Sequence, residues 1–353
     1  GQIVHFERFG RMDVEANKPM QLDTIFRIYS MTKPITSVAV LMLYEESHFQ
    51  LRDPISTYLP EFKDVKVFVR ATEGGLELAD LERPITILDL LTHTSGLSHG
   101  LTDQPVDKLY AEALKQLGPQ TTLTELVKML ARQPLANQPG KVWRYSFAPE
   151  ALSHLVGVIS GLSFETFLEE RIFRPLGMAD TSFCVPQDKV ARFATLYGQD
   201  KASRLRPLVP PAAGMAFFMP GWPQFPAGSG GLVSTATDYW RFAQMLLNGG
   251  RWEGEQLLGR KTVELMTRNY LPTTLLPFRI LPGWPPNYGM GFGLGVQVVM
   301  NTAERGQLGS EGAFSWGGGA RTWFWVDPKE ELIGLLMMQL MQCPYRSAIN
   351  SRC

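Results

Sequence analysis

The chain has 353 residues, 44% hydrophobic and 19% charged, enough to bury a substantial core and a cleft in one or two globular units. Lys plus Arg and Asp plus Glu number 34 each, so the formal net charge is zero and no field favours nucleic acid or an anionic membrane. The apolar runs Val38 to Tyr44 and Leu332 to Met338 are shorter than the roughly 20 residues that span a bilayer.

In chain order, residues 1 to 28 read as strands with a turn, beginning with a strand-like Gln2 to Phe9. Ser30 to Glu46 then carries Ile35, Val38, Ala39, Leu41 and Met42 at helical spacing, which predicts a buried helix. Amphipathic stretches at 84–92, 106–117, 122–132, 149–160 and 163–172, broken by Pro and Gly, predict a mostly helical middle. Residues 207–230, dense in Pro and Gly, read as a long ordered loop over the site. Ser234 precedes a helix over Ala236 to Leu247, and Gly291 to Val299, Thr322 to Val326 and Leu332 to Met338 read as strands. The economical fold class is α/β (α+β): an antiparallel sheet flanked by helices, built from residues 1–55 and 205–353, with a mostly helical domain at 56–204 and the site at their interface.

Three cysteines, Cys184, Cys343 and Cys353, frame no disulfide scaffold and show no Cys-x-x-Cys spacing, which points to a reducing compartment, the cytoplasm. An exported form stays open, since an upstream segment can precede Gly1. The five histidines, His5, His48, His93, His99 and His154, show no metal-ligand spacing, so no metal is expected; His93 reads as a hydrogen-bonded loop residue. Gly-x-Ser-x-Gly is absent, and Gly291 to Gly295 lacks the helix of a dinucleotide fingerprint and reads as a close-packed strand.

Ser30-Met31-Thr32-Lys33 at the head of the first helix places a hydroxyl and an amine on one face at i, i+3 spacing. A serine hydroxyl is a poor nucleophile until a base takes its proton, and a lysine serves as that base where burial and the positive end of a helix dipole disfavour the ammonium. The tetrapeptide alone is short enough to arise by chance, as an N-cap serine followed by a solvated lysine. Its surroundings decide the matter.

Phe26-Arg27-Ile28-Tyr29-Ser30-Met31-Thr32-Lys33-Pro34 resembles the nucleophile segment of serine β-lactamase-like esterases. Leu90 to Leu97, Pro175 to Met178 with Thr181, Gly230 to Thr235 and Tyr288 to Gly295 resemble further landmarks in the same order, and the likeness spans nearly the whole chain. Within the penicillin-recognising superfamily the chain is most similar to the family VIII carboxylesterases, relatives of class C β-lactamases and D-alanyl-D-alanine peptidases.

The resemblance implies a tyrosine facing the serine, matched by Tyr145 of Tyr145-Ser146-Phe147, which shares a proton with Lys33 and returns it to the leaving alcohol. Phe147 stands where β-lactamases carry an amide that binds the acyl amide of a lactam or peptide. Trp316-Gly317-Gly318 replaces a Lys-Thr-Gly that binds a substrate carboxylate, so Trp316 implies an apolar wall and an uncharged substrate. The resemblance further implies an oxyanion hole from the backbone N–H groups of Ser30 and Gly319.

The expected activity is therefore that of a carboxylesterase, a serine hydrolase cleaving short-chain acyl esters through a Ser30 acyl-enzyme without a cofactor. Its partner is a small ester, with neither nucleic acid nor membrane involved. Transfer of the acyl group to another acceptor and weak β-lactamase or D-amino peptidase activity use the same intermediate. An inactive ligand-binding relative would show a damaged Ser30, Lys33 or Tyr145, and all three are intact.

Overall fold

A computed structural model describes residues 1–118, 120–200, 202–208 and 225–341. The N-terminal hairpin pairs β1 (Arg11–Asp13) with β2 (Lys18–Pro19), and β3 (Phe26–Arg27) leads through a 3₁₀ turn at Tyr29–Met31 into α1 (Thr32–Glu45). Gln2 to Phe9 forms no strand, contrary to the sequence reading. Val4 and Phe9 are 83% and 76% exposed, so the segment has no apolar face to bury and no neighbouring ladder to pair with.

The middle of the chain holds β4 (Val67–Thr72), β5 (Gly75–Ala79), α2 (Ile87–Leu91), α3 (Pro105–Leu114), α4 (Leu123–Ala131) and α5 (Ala148–Ser160). α6 (Phe164–Leu168) and α7 (Arg174–Leu176) follow, joined by a π-helical turn. All five amphipathic stretches are helical in the structure. The β4–β5 hairpin is an addition that periodicity did not reveal. It is mostly solvated on both faces, so it lacks the apolar alternation that marks a half-buried strand.

A small hairpin, β6 (Tyr197–Gln199) with β7 (Leu205–Pro207), precedes β8 (Val233–Ser234), which pairs with β3. Most of the Pro-rich stretch lies outside the described residues. α8 (Ala236–Leu247) starts at Thr235, whose side chain accepts the Asp238 N–H; the N-cap is thus one residue later than Ser234. Next come the hairpin β9 (Arg251–Trp252) with β10 (Glu255–Gln256) and then α9 (Arg260–Met266).

The principal sheet is five-stranded and antiparallel in the order β11 (Met290–Phe292), β12 (Gln297–Val299), β13 (Phe314–Gly317), β14 (Trp323–Asp327), β15 (Leu332–Leu336). The short α10 (Thr302–Arg305) lies between β12 and β13. Gly291 to Val299 is thus two strands and a turn, not one strand. Gly293 donates to the Val296 carbonyl, and Gly295, at φ +87°, takes a conformation open to glycine. A Cβ there would lie 2.1 Å from Ser37 Oγ, so the turn packs directly on α1.

Every residue of α1 from Thr32 to Leu43 is buried, because α5 packs on one side and the sheet's hairpin turn on another. α8 lies against β14 and β15, while α2, α4 and α6 surround α5. One contiguous core runs from Ile28 through these helices to Val326, so the head of α1 sits at its centre and inherits its rigidity.

Candidate active site

Ser30 lies in the 3₁₀ turn that opens α1, at the end of β3. The preceding Tyr29 has φ +45°, a costly conformation for a side chain with a Cβ, and it turns the chain sharply so that Ser30 stands clear of the strand. The turn is locked by buried polar contacts. Tyr239 Oη donates to the Met31 carbonyl at 2.9 Å, and Thr32 Oγ1 accepts the Leu232 N–H at 3.2 Å.

Lys33 is 1% exposed, and its Nζ donates to Ser30 Oγ at 3.3 Å and to the Ser229 carbonyl at 2.6 Å. Ser30 Oγ lies 2.6 Å from Tyr145 Oη, and Lys33 Nζ lies 4.6 Å from the centre of the Tyr145 ring. The three residues singled out in the sequence therefore meet in one hydrogen-bonded group. This convergence could not be calculated from spacing, since 115 residues separate Ser30 from Tyr145.

Tyr145 is aimed by backbone. Arg144 N–H donates to the His93 carbonyl at 2.8 Å and Phe147 N–H to the Ser98 carbonyl at 3.2 Å, which lays the tyrosine segment along the 93–98 loop. That loop hangs from α2, whose Thr86–Asp89 capping box is reinforced by a two-pronged Arg83–Asp89 ion pair. From the other side Arg144 Nη2 meets buried Asp107 at 2.8 Å. Asp107 also accepts the hydroxyls of Ser98 and Thr102.

Gly318 and Gly319 come up against the nucleophile turn. A Cβ at Gly318 would lie 2.3 Å from the Ile28 carbonyl oxygen and 2.2 Å from Thr322 Oγ1, so only glycine fits. Gly317 is equally confined, by the Trp323 ring. Among the described residues neither the Ser30 N–H nor the Gly319 N–H donates to a protein acceptor, and a Cβ on Gly319 would lie 3.9 Å from Tyr29 Cγ. Gly319 thus lies against the residue that precedes the nucleophile.

Trp316 is 3% exposed, with its ring 6.0 Å from that of Tyr145 and 5.3 Å from that of Phe292. It is a close-packed backing to the tyrosine. Phe147 stacks on His99 at 4.2 Å. A cleft of about 460 Å³ opens on the Tyr145 side, lined in part by His99, Trp143, Tyr145, Leu276, Phe278 and Ile280; neither Trp316 nor Phe147 lines it.

His93 and His99 are hydrogen-bonding and stacking partners. His93 Nδ1 is 3.1 Å from Ser146 Oγ, as a hydrogen-bonded loop histidine should be, and His99 stacks on Tyr145 at 5.3 Å and 9°. Burial first, and then the Lys33 charge, push His93 well below the ordinary histidine value and His99 down to about 3. An unfolded histidine binds its proton near pH 6.5, so these rings stabilise the fold fully above that pH and lose the contribution as pH falls toward the depressed values. The limit is about 1.4 kcal/mol per pH unit per ring. Thermal melts should show His99→Phe flattening the acid loss of stability between pH 6.5 and 4; a decline as steep as wild type would remove His99 from this account.

Sequence reasoning passed over Ser229 and Glu150. Glu150 stands in the first turn of α5, where an acidic residue ordinarily serves the helix dipole, and its buried side chain is visible only in three dimensions. Among the described residues no group of three or more His, Cys, Asp or Glu could hold a metal ion. None of their helices is by itself long and apolar enough to cross a membrane.

Residues 1–350 match the Beta-lactamase family. Protein Rv1367c of Mycobacterium tuberculosis is 38% identical over 347 residues, covering 97% of this chain and 84% of that protein. Esterase EstB of Burkholderia gladioli is 31% identical over 369 residues, covering 98% and 84% respectively. Among solved structures EstCE1, described as a hydrolase with promiscuous acyltransferase activity, superposes with a TM-score of 0.77 at 25% identity over 94% of this chain and 84% of that one. Family match, relatives and fold agree: the chain belongs to the Beta-lactamase family, whose members are serine hydrolases and acyltransferases.

Proposed function

We propose that the protein is a carboxylesterase that hydrolyses uncharged esters of short acyl chains through an acyl-enzyme on Ser30. The observation that carries the proposal is the Ser30–Lys33–Tyr145 group, with Oγ 2.6 Å from the phenol and 3.3 Å from the amine. In this mechanism Ser30 Oγ attacks the ester carbonyl while Lys33 and Tyr145 take up its proton. The carbonyl oxygen, now carrying the charge, accepts from the Ser30 and Gly319 N–H groups, each such donor typically contributing about 3–4 kcal/mol. Tyr145 returns the proton to the departing alkoxide, the carbon–oxygen bond breaks, and water releases the acyl group by the same steps in reverse.

Specificity follows from what surrounds these atoms. Trp316 and Phe147 stand where a cation and an amide would recognise a β-lactam or peptide, and the nearby Arg144 is engaged by Asp107, which favours neutral esters. Gly318 sits against the Ile28 carbonyl beside the nucleophile turn, and this close approach favours a short acyl group. The 460 Å³ cleft opens beside the group that protonates the leaving oxygen, so it receives the alcohol portion, and its volume suits an aromatic or branched one.

The test is a series of butyrates differing only in the alcohol, with intact mass measured after rapid quenching. A butyryl adduct on Ser30 and a higher kcat/KM for naphthylmethyl than for ethyl butyrate, whose alkoxides are similarly poor leaving groups, are expected. Absence of an adduct on Ser30 would overturn the proposal. Added alcohol acceptors separate hydrolysis from acyl transfer, the promiscuous activity of EstCE1: butyrate appearing mainly as a new ester would make this an acyltransferase.

A further inference from the structure

Glu150 is 1% exposed, and a carboxylate is expensive to bury. Its Oε1 accepts the Ser229 hydroxyl and, at 3.3 Å, the Ser229 N–H, while Oε2 has no partner among the described residues. The same Ser229 presents its carbonyl to Lys33 Nζ at 2.6 Å, the shorter of the amine's two hydrogen bonds. The peptide around Ser229 is gripped from both sides. Thr36 Oγ1 of α1 donates to the Gly228 carbonyl at 2.8 Å, and a Cβ at Gly228 would lie 1.7 Å from Ser153 Oγ of α5.

A first-turn glutamate would be cheaper in solvent, where it could serve the helix dipole. This one instead fixes the single peptide that orients the amine beside the nucleophile. We infer that Glu150 is a positioning residue for Lys33, acting through Ser229 to hold the amine toward Ser30, and that its charge, one peptide away, sets the pH range in which the pair works. The inference rests on the acyl-enzyme reading of Ser30.

The titratable groups facing Lys33 are Tyr145, His93, His99 and Glu150. The two histidines are held neutral by burial throughout the working range. Burial pushes the Glu150 carboxyl up, against the Ser229 hydrogen bonds and the Lys33 charge. Glu150→Gln keeps the shape and one acceptor and removes the charge. Loss of a nearby negative charge makes the protonated site less favourable, so the acid limb of the rate profile should move to lower pH.

Two readouts separate this inference from its parent. With p-nitrophenyl butyrate, Glu150→Gln should lower kcat about ten- to a hundredfold, the scale of a hydrogen bond to a charged group, at nearly constant KM. The rate of Ser30 labelling by a fluorophosphonate probe should fall in parallel and show the same shift of the acid limb. Labelling needs an activated serine but no ester turnover, so it tests Glu150 even where butyrate is not hydrolysed.

Ser229→Ala, which removes one donor to Glu150, should fall less. The double variant should be no worse than Glu150→Gln, since both act by one route. Labelling and acid limb at wild-type values in Glu150→Gln would overturn the inference. So would a loss that raises KM with an unmoved limb and adds to that of Ser229→Ala, the mark of general loosening. Should Glu150→Gln fail to fold, Ser229→Ala decides alone, and an unchanged labelling rate in that variant overturns the inference.

Discussion

Ser30→Ala should abolish ester turnover, with kcat lower by at least about 10⁴-fold, while circular dichroism and melting temperature stay near wild type. A nucleophile that works as a unit with its base costs nearly the whole chemical acceleration when it alone is removed. Nothing in the core depends on the hydroxyl. Its partners are Tyr145 Oη and Lys33 Nζ, and the turn that carries it is held by Tyr239, Thr32 and Leu232. Removing Oγ leaves the tyrosine without one hydrogen bond, a change of about 1 kcal/mol. Butyrate hydrolysis surviving in the folded variant would mean that the acyl group is carried elsewhere, and the assignment of every neighbouring group would fall with it.

The legibility of this site differs from residue to residue. Ser30 and Lys33 are one helical turn apart, so their meeting is a local property that spacing reports directly. Tyr145 reaches them only because the Arg144 and Phe147 amides dock on the His93 and Ser98 carbonyls, a long-range pairing with no periodic signature. Family likeness, not periodicity, located it. The amphipathic helices were visible because each buries one face. The β4–β5 hairpin was hidden because it buries almost none, and the glycines at 291–295 looked like a strand because their close approach to α1 and Met266 is a tertiary fact. Trp316 illustrates the same boundary. Its apolar character was legible, but its place behind Tyr145 and away from the open cleft depends on the β13–β14 register, which pairs Trp316 with Phe324.

Tyr145→Phe should lower kcat by roughly 10²–10⁴-fold, the usual worth of a positioned general acid–base group, with little loss of stability. The ring is retained, and its contacts with His99, Trp143 and Trp316 do not involve the phenol oxygen. The size of the loss should depend on the alcohol. p-Nitrophenoxide leaves without help, so only the deprotonation of Ser30 suffers in that substrate, whereas ethoxide must be protonated as it departs. If Tyr145 performs both transfers, ethyl butyrate loses at least about tenfold more than p-nitrophenyl butyrate. Equal losses would confine the phenol to activating Ser30 and assign protonation of the leaving group to Lys33, whose Nζ is, among the described residues, the other side-chain group hydrogen-bonded to the nucleophile. The comparison works because Tyr145 Oη is 2.6 Å from the nucleophile and Tyr145 also lines the cleft proposed to take the alcohol.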